Sequence, residues 1–462
     1  MRSLFILMAF GFVNFSFGQD ISQKVTIAYN KMMEDSQLSH GIVSLYVIDS
    51  KTGDVVFDKY SHVGLAGASV QKVITSSTAF ALLGHNYTYK TDLGYNGSIK
   101  NNTLFGNIII RGSGDPTLGS WRYTSTKEEK IVDEFRQAIN MKGIKKLNGD
   151  IYGSDTLWQT EVIPPGWIWE DLGSYYGAGA SALNWRENQY DLIMKSGNRV
   201  GDTVTFIGTV PQKIEGLKIK MLATAAEKGS GDRSYIYIPS INEYSSVRGS
   251  IPLGQDHFVI SGTIIRPDLQ ASSTLKNVFP SSFFNLGSND QQTKSKAIQQ
   301  LIYSHTSPTM DSIVYWFLKK SINLYGEALV KTIAYEKTKI GSVDTGINII
   351  KQFWKDKGID PQSLNMKDGS GLSPGNRITA NALVTILQYD LKQSWFNSFL
   401  DALPEINGLK MKSGTIADVL AYTGFSKSVD GKKYTFAIIV NNYNGSTTTM
   451  RQKMWKLLDV LK

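Results

Sequence analysis

The stretch GLAGASVQKVITSSTAFALLG, residues 64–84, joins a glycine- and alanine-rich loop to a segment as apolar as a buried helix. Within it Ser69 and Lys72 stand three positions apart, a spacing that places both side chains on one face of a helix. A neutral lysine beside a serine can accept the hydroxyl proton, and burial or a second cation lowers the pKa of a lysine toward that state. A serine N-cap followed by a surface lysine would show the same letters. The chain repeats the pattern at Ser273 and Lys276, so the spacing alone leaves both interpretations open.

Two later motifs place the first one in a context. Ser321-Ile-Asn323 precedes the helical pattern LYGEALVKTIA, and KSGT at 412–415 opens a run of three β-like segments. The combination of S-x-x-K with S-D-N and K-T-G is the signature of penicillin-binding proteins and class A β-lactamases. The three motifs therefore predict a serine hydrolase site that the fold assembles from distant parts of the chain.

The chain also holds isolated matches to each motif, namely Ser240-Ile-Asn242, Lys51-Thr-Gly53, Lys195-Ser-Gly197 and the pattern at Ser273. The first has no helical pattern after it, the next two fall in turns, and the last is expected in a polar stretch between β-like and loop segments. Only the set chosen above combines the right order with a helix-borne serine, a motif entering a helix and a motif on a strand.

The segments around these motifs predict an α+β fold. A hairpin at 41–60 (GIVSLYVID, then VVFDKY) and the terminal meander that begins at Lys412 are expected to share one antiparallel sheet. Helical spacing returns after about residue 290, in SKAIQQLIYSH, TMDSIVYWFLKKS, LYGEALVKTIAYEKT and DTGINIIKQFWKDKG, and these helices are expected to flank the sheet. Between 91 and 280, short β-like runs alternate with turn residues, which predicts a largely β insertion.

Composition excludes several function classes. The 462 residues include no cysteine, which rules out disulfides and thiol catalysis, and the five histidines stand too far apart for the common metal motifs. Forty-nine basic against 40 acidic residues give a net charge of +9, but the lysines form no block, so nucleic acid is not expected as a partner. We expect no metal and no cofactor.

The first 18 residues, MRSLFILMAFGFVNFSFG, have the basic start, the apolar run and the small residues of a secretory signal peptide. We expect cleavage after Gly18 and a periplasmic location. The final helix, RQKMWKLLDVLK, is amphipathic and basic. Packing against the sheet is the expected role of that helix, with peripheral membrane association as the most that its charge would add.

The chain resembles the low-molecular-mass class C penicillin-binding proteins, which are D-alanyl-D-alanine carboxypeptidase/endopeptidases. Beyond the three motifs, the resemblance includes RGSGDPTL (111–118), PPGWIWEDLGSYYGAGASALNW (164–185), KKSINLYGEAL (319–329) and DGSGLSPGNRIT (368–379). The 252 positions between the first and second motifs are typical of this family. Ile322 and Ser413 depart mildly from its motifs, and Pro374 stands where family members often carry arginine.

The resemblance implies a penicillin-binding, β-lactamase-like domain in two parts, 19–90 and 281–462, with residues 91–280 inserted as two β-rich subdomains. It implies a substrate in the stem peptides of peptidoglycan and covalent inhibition by β-lactam antibiotics. A β-lactamase-type hydrolase and a non-catalytic cell-wall-binding protein on the same fold remain alternatives.

The resemblance also implies roles for individual residues. Ser69 would be the nucleophile, Lys72 its base, Ser321 a proton relay, Asn323 a ligand of a substrate amide and Lys412 a ligand of the terminal carboxylate. Ser413, Gly414 and Thr415 would line the substrate strand, with the N–H groups of Ser69 and Thr415 forming an oxyanion hole. Asp155, in GSDTLW, would receive the amino group of the diamino acid in the substrate.

Overall fold

The structure is a computed structural model that describes residues 20–158, 161–240, 243–285 and 297–462. The predicted signal peptide, residues 1–18, lies outside the described residues. None of the helices in these ranges is long and apolar enough to cross a membrane.

The α-helices of the described residues are, in chain order, α1 (Ile21–Met33), α2 (Lys72–Leu83), α3 (Glu128–Met141), α4 (Trp169–Leu172), α5 (Pro267–Lys276), α6 (Met310–Lys320), α7 (Asn323–Thr338), α8 (Val343–Lys355), α9 (Ala380–Asp390), α10 (Phe396–Ala402) and α11 (Thr447–Leu458).

The strands are β1 (Ile42–Asp49), β2 (Val55–Lys59), β3 (Lys90–Tyr95), β4 (Ser98–Lys100), β5 (Thr103–Phe105), β6 (Ile108–Arg111), β7 (Lys146–Asn148), β8 (Ile151–Ser154), β9 (Gln189–Lys195), β10 (Thr205–Val210), β11 (Ile219–Met221), β12 (Thr224–Ala226), β13 (Arg233–Tyr237), β14 (Ser245–Pro252), β15 (Phe258–Thr263), β16 (Gln300–Thr306), β17 (Leu364–Asn365), β18 (Arg377–Ile378), β19 (Glu405–Ile406), β20 (Leu409–Ile416), β21 (Val419–Lys427) and β22 (Lys433–Asn441).

The central sheet has six antiparallel strands in the order β19-β20-β21-β22-β1-β2. Strand β1, near the start of the chain, pairs along its length with β22 near the end, with Val43 opposite Val440. The predicted hairpin and meander therefore do form one sheet, and the mixed helix-and-sheet fold class is confirmed.

Helices cover both faces of this sheet because side chains alternate along its strands. On β22, Phe436, Ile438 and Val440 pack into the core that includes α1 and α11. Ala437 and Ile439 point to the opposite core, which includes α2, α7, α8 and α9. Helix α2 is apolar on most of its surface because it is enclosed between the sheet and these helices.

The part of the chain between β3 and β16 forms separate sheets with their own apolar cores. One core gathers around β3, β6, β8 and α3, and another around β9, β14 and β15. The two cores agree with two inserted subdomains, although the division at 91–280 stays a prediction. Strand β16, Gln300–Thr306, pairs with β3, so the sheet of the first subdomain takes a strand from beyond residue 280.

Three predictions of local structure were wrong. SKAIQQLIYSH was expected to be helical, but its described part forms strand β16, because pairing with β3 outweighs a weak helical pattern. The segment 91–280 was expected to be largely β, but it includes α3, which runs for 14 residues with Ile131, Phe135 and Ile139 buried on one face. The stretch around Ser273 belongs to α5, a helix that starts at a proline, rather than to an irregular segment.

Candidate active site

Ser69, Ser321, Asn323 and Thr415 line one cavity of about 520 Å³ between the β20 edge of the central sheet and the inserted part of the chain. Each comes from a different element: the turn before α2, the end of α6, the start of α7 and strand β20. The motifs chosen from the sequence are therefore brought together, although 252 positions separate the first two along the chain.

Ser69 lies in a single 3-10 turn, Ala68–Gln71, that leads directly into α2. Strand β20 approaches this turn closely. A Cβ added at Gly414 would stand 2.3 Å from the carbonyl oxygen of Gly67 and 2.9 Å from the backbone nitrogen of Ser69. Glycine at 414 is thus what allows the strand to lie against the serine.

Lys72 is fully buried, and its Nζ atom donates to three oxygens: Ser69 Oγ at 2.8 Å, Asn323 Oδ1 at 2.6 Å and the carbonyl oxygen of Ser370 at 2.8 Å. Burial, and then the charge of Lys412, hold the pKa of Lys72 well below its ordinary value, while Asp368 and Glu327 oppose that shift. The surface-lysine interpretation of S-x-x-K is therefore wrong. Ser69 makes no side-chain cap at the start of this helix.

Lys412 forms a second buried pair with Ser321. Its Nζ atom donates to Ser321 Oγ at 3.0 Å and to the carbonyl oxygen of Ser413 at 2.9 Å. Burial lowers the pKa of Lys412 to about 7. Ser321 adopts a left-handed backbone, with φ of 56°, at the end of α6, a conformation that costs a non-glycine residue energy and is concentrated at functional sites.

Asn323 connects the lysine to the inserted part of the chain. While its Oδ1 atom accepts from Lys72, its Nδ2 atom donates to the carbonyl oxygen of Tyr176 at 2.7 Å. Both ends of the amide are thereby fixed, so the side chain cannot flip without losing both bonds.

The loop after β17 contributes Gly371, Leu372 and Pro374 to the cavity lining. Asp368 is fully buried and collects donors from Gln71 Nε2, Trp167 Nε1, Asn376 Nδ2 and backbone nitrogens of the same loop, at distances from 2.6 to 3.1 Å. It holds the carbonyl oxygen of Ser370 where Lys72 can reach it. The glycine- and serine-rich letters DGSGLS indicate a tight loop, but not this hub.

Glu327, one helical turn after Asn323, is a buried acid that the sequence analysis did not single out. Its Oε2 atom accepts from the backbone nitrogen of Gly369 at 2.9 Å. Burial and the neighbouring charge of Asp368 raise the pKa of Glu327 to about 8. The carboxyl therefore holds a proton at neutral pH, which limits its pull on the nearby lysine.

The cavity has an acidic wall made of two residues that the sequence did not single out. Glu170 and Asp171 line the cavity together with Tyr175 and Tyr176, and burial, then the charge of Glu170, raise the pKa of Asp171 to about 6. Asp155 follows β8 and is not among the described residues that line the cavity. The two acids lie in the letters WIWEDLGSYY, and nothing in the spacing of these letters marks them as cavity residues.

Of the residues expected along the substrate strand, Thr415 faces the cavity, whereas Ser413 and Gly414 are absent from the described lining. Ser413 contributes its carbonyl oxygen to Lys412, and Gly414 provides room for the serine turn. Both residues shape the site through their backbone.

Comparison with known proteins gives consistent relatives. The model of the D-Ala-D-Ala carboxypeptidase 3 (S13) family matches residues 25–461. The D-alanyl-D-alanine carboxypeptidase of Actinomadura sp. (strain R39) is 24% identical over 451 residues, which cover 90% of this chain and 80% of the relative. The D-alanyl-D-alanine carboxypeptidase DacB of Haemophilus influenzae is 23% identical over 412 residues, covering 84% of this chain and 83% of the relative.

Solved structures share the architecture. The crystal structure of penicillin binding protein 4 (dacB) from Haemophilus influenzae matches with a TM-score of 0.77 at 19% identity, covering 93% of this chain and 97% of that chain. The same protein complexed with a β-lactam matches with a TM-score of 0.71 at 20% identity, covering 93% and 96%. At these identities the match establishes the fold.

Proposed function

Since the chain belongs to the D-Ala-D-Ala carboxypeptidase 3 (S13) family, we propose that it hydrolyses the bond between two D-alanines of peptidoglycan stem peptides through an acyl-enzyme on Ser69. The observation that carries the proposal is the hydrogen bond of 2.8 Å between Nζ of the buried Lys72 and Oγ of Ser69, which lines the cavity. A lysine whose pKa is lowered by burial is a competent general base for a serine hydroxyl.

The proposed chemistry has two halves. Ser69 Oγ attacks the carbonyl carbon while its proton passes to Lys72 Nζ, and the negative charge that develops on the carbonyl oxygen is received by the backbone N–H groups of Ser69 and Thr415. As the C–N bond breaks, the proton taken up by Lys72 reaches the leaving amine of the terminal D-alanine through Ser321, and the free D-alanine departs. Water then hydrolyses the ester on Ser69 and restores the serine.

The residues around this pair would hold the peptide. Lys412 would bind the terminal carboxylate in its protonated form, because its Nζ atom lies beside Ser321 with no carboxylate contact among the described residues. Asn323 is placed to hold a substrate amide, and the exposed side of β20 offers backbone groups to an extended peptide.

The wall formed by Glu170 and Asp171 supports a substrate that carries a free amino group. Two carboxylates beside one cavity attract an ammonium group, such as that of a diamino acid in the stem peptide. We place this recognition at Glu170 and Asp171 rather than at Asp155. Because a cross-link between stem peptides is an amide between a D-alanine and the side-chain amine of such a diamino acid, we propose endopeptidase activity on that amide alongside carboxypeptidase activity.

A β-lactam would acylate Ser69 as a mimic of the D-alanyl peptide, and the expected location of the enzyme is the periplasm. The experiment compares wild type with Ser69→Ala. Wild type should bind fluorescent penicillin, with the adduct on the peptide that contains Ser69 by mass spectrometry, and should release D-alanine from a pentapeptide.

The variant should do neither. Equal cleavage by wild type and variant would remove Ser69 from the mechanism, and absence of both activities in wild type would support a non-catalytic wall-binding protein. Rapid turnover of a chromogenic cephalosporin, instead of a lasting adduct, would favour the β-lactamase alternative.

A further inference from the structure

The segment of residues 161–180, here called the wall loop, carries every acidic side chain that lines the cavity among the described residues. Its two ends lie together. A Cβ added at Gly179 would stand 2.2 Å from the carbonyl oxygen of Val162, so the chain leaves and returns at nearly the same point. The two ends of the segment are therefore close enough for one side chain to contact both.

Lys331 lies at the point where the two ends meet. Its side chain is buried, and its Nζ atom donates to the carbonyl oxygen of Glu161 at one end and to that of Ala180, at 2.9 Å, at the other. The same atom lies 5.6 Å from the centre of the Trp158 ring. One side chain therefore closes the base of the whole loop.

Lys331 also stands on the helix that carries the active-site amide. Residues 323, 327 and 331 are spaced four apart on α7, and such residues share one face of a helix. At 1.5 Å per residue, Lys331 is about 12 Å along the helix axis from Asn323. Helix α7 thus contacts the wall loop at two points: Lys331 binds its base, and Asn323 donates a hydrogen bond to Tyr176 beside the cavity.

Burying a lysine is costly, and an apolar residue of similar length would fill the same space. Burial lowers the pKa of Lys331 to about 8, but the neutral and the charged amine both keep enough N–H groups for the two carbonyls. A methionine, the apolar residue of similar length, has no donor and could not form hydrogen bonds to both ends of the loop. The two hydrogen bonds that Lys331 donates to the two ends of the loop best explain why a lysine is buried here.

We propose that Lys331 is a specificity-determining positioning residue, which closes the wall loop and so sets the distance between its acidic pair and Ser69. The proposal rests on the function proposed above. Two parts of the site are then independent. The central sheet and its helices hold the motif residues, whereas recognition of an amino group depends on the wall loop.

The test uses two synthetic peptides that end in D-Ala-D-Ala and differ only in the preceding diamino acid, whose side-chain amine is free in one and acetylated in the other. The ratio of their kcat/KM values measures recognition of the amine. The second-order rate of acylation by penicillin measures the Ser69 machinery alone. Both are determined for wild type, Lys331→Met and Lys337→Met, the last being an exposed lysine on the same helix.

We expect wild type and Lys337→Met to prefer the free amine to the same extent. In Lys331→Met the preference should fall about tenfold or more, through a higher KM for the free-amine peptide, because a shift of about 1 Å in a binding group is enough for such losses. Penicillin acylation should change less than about threefold. Lys331→Gln, which keeps two donors on a shorter side chain, should give an intermediate ratio.

Each other outcome overturns the inference. A retained preference in Lys331→Met would show that the loop holds its position without the lysine, and an equal fall in acylation would show a general structural role. A wild type that cleaves both peptides equally would remove the amine recognition, and failure of both Lys331 variants to fold would make the lysine purely structural. A wild type that cleaves neither peptide would instead overturn the proposed function itself.

Discussion

Two serine–lysine pairs in this chain share the spacing S-x-x-K, and their surroundings differ in every respect that matters for chemistry. Ser69 and Lys72 are joined by a bond of 2.8 Å between Nζ and Oγ, at the bottom of a cavity. Ser273 and Lys276 both lie on helix α5, but each side chain turns to a different carboxylate.

In the second pair, both side chains donate hydrogen bonds to carboxylates. Ser273 Oγ donates to Glu215 at 2.7 Å, and Lys276 Nζ donates to Asp150 at 2.7 Å with 42% of the lysine side chain exposed. Lys72 instead contacts a hydroxyl, an amide oxygen and a carbonyl, and the charge with the largest effect on its pKa is that of another lysine.

The difference shows that the spacing can bring a serine and a lysine to one side of a helix or of the turn that leads into it, whereas burial and the choice of partners decide whether the lysine can act as a base. Both pairs satisfy the first condition. Only the first pair satisfies the second, since the elements around it come from four distant parts of the chain and bring no ionised carboxylate into direct contact with Nζ.

The largest expected effect separates the two serines. Ser69→Ala should remove labelling by fluorescent penicillin and reduce D-alanine release by about 10³-fold or more, because the nucleophile is lost. Ser273→Ala, as the matched control, should leave both within about twofold. Gel fluorescence and a D-alanine assay check the pair, and comparable losses in both variants would mean that the second serine contributes to the site.

The next prediction gives Lys72 a carboxylate partner, as Lys276 already has. Asn323→Asp would place a carboxylate where Oδ1 now stands, 2.6 Å from Lys72 Nζ. The ion pair should raise the pKa of Lys72 and keep it protonated, so penicillin acylation at pH 7 should fall about 10²-fold. Stopped-flow or gel-based acylation rates measure the change.

A rise in pH should restore part of this loss, because it removes the added proton, and the recovery separates a pKa effect from a lost substrate contact. Asp150→Asn, which removes the carboxylate beside Lys276, is the control and should leave acylation unchanged. An Asn323→Asp loss that is the same at every pH would argue against Lys72 as the base.

Much of the framework was predictable from the letters because it is local. The hairpin at 41–60, the terminal meander and helices α6, α7 and α8 follow from alternation and helical spacing, and the sheet that joins the first two was the economical way to bury them. The motif residues were predictable as a set because their local contexts, a helix start, a helix entry and a strand, differ from those of the isolated matches.

What could not be predicted depends on contacts between distant segments. Strand β16 is a strand because β3 offers an edge, and no pattern within 300–306 says so. Glu327 and Asp368 become buried site residues only when α7 and the loop after β17 meet behind Lys72. The acids at 170 and 171 reach the cavity because Lys331 and Asn323 fix the wall loop.

A third prediction concerns the pH dependence that burial creates. Lys412 has a pKa of about 7, so it is an ammonium below that pH and neutral above it. Binding of a terminal carboxylate requires the ammonium, and kcat/KM reports the free enzyme. We expect kcat/KM for the peptide to fall up to about tenfold per pH unit above pH 7. Steady-state kinetics across the range measure it.

Lys412→Arg is the control for the fall in kcat/KM above pH 7, because arginine stays charged at every accessible pH. The variant should be less active, since the planar group fits the site poorly, but the fall above pH 7 should disappear. An unchanged alkaline limb in Lys412→Arg would assign the titration to another group, and the carboxylate role of Lys412 would have to be given up.

The smallest expected effect concerns Lys276, which forms a partly exposed ion pair with Asp150. Lys276→Met should lower the free energy of unfolding by about 0.2–1 kcal/mol, the range for exposed pairs, and the difference should shrink in about 0.5 M salt, where charges are screened. Thermal unfolding at low and high salt measures it. Penicillin acylation should stay at the wild-type rate. A slower acylation in this variant would connect the two pairs functionally, and burial would no longer be the property that distinguishes them.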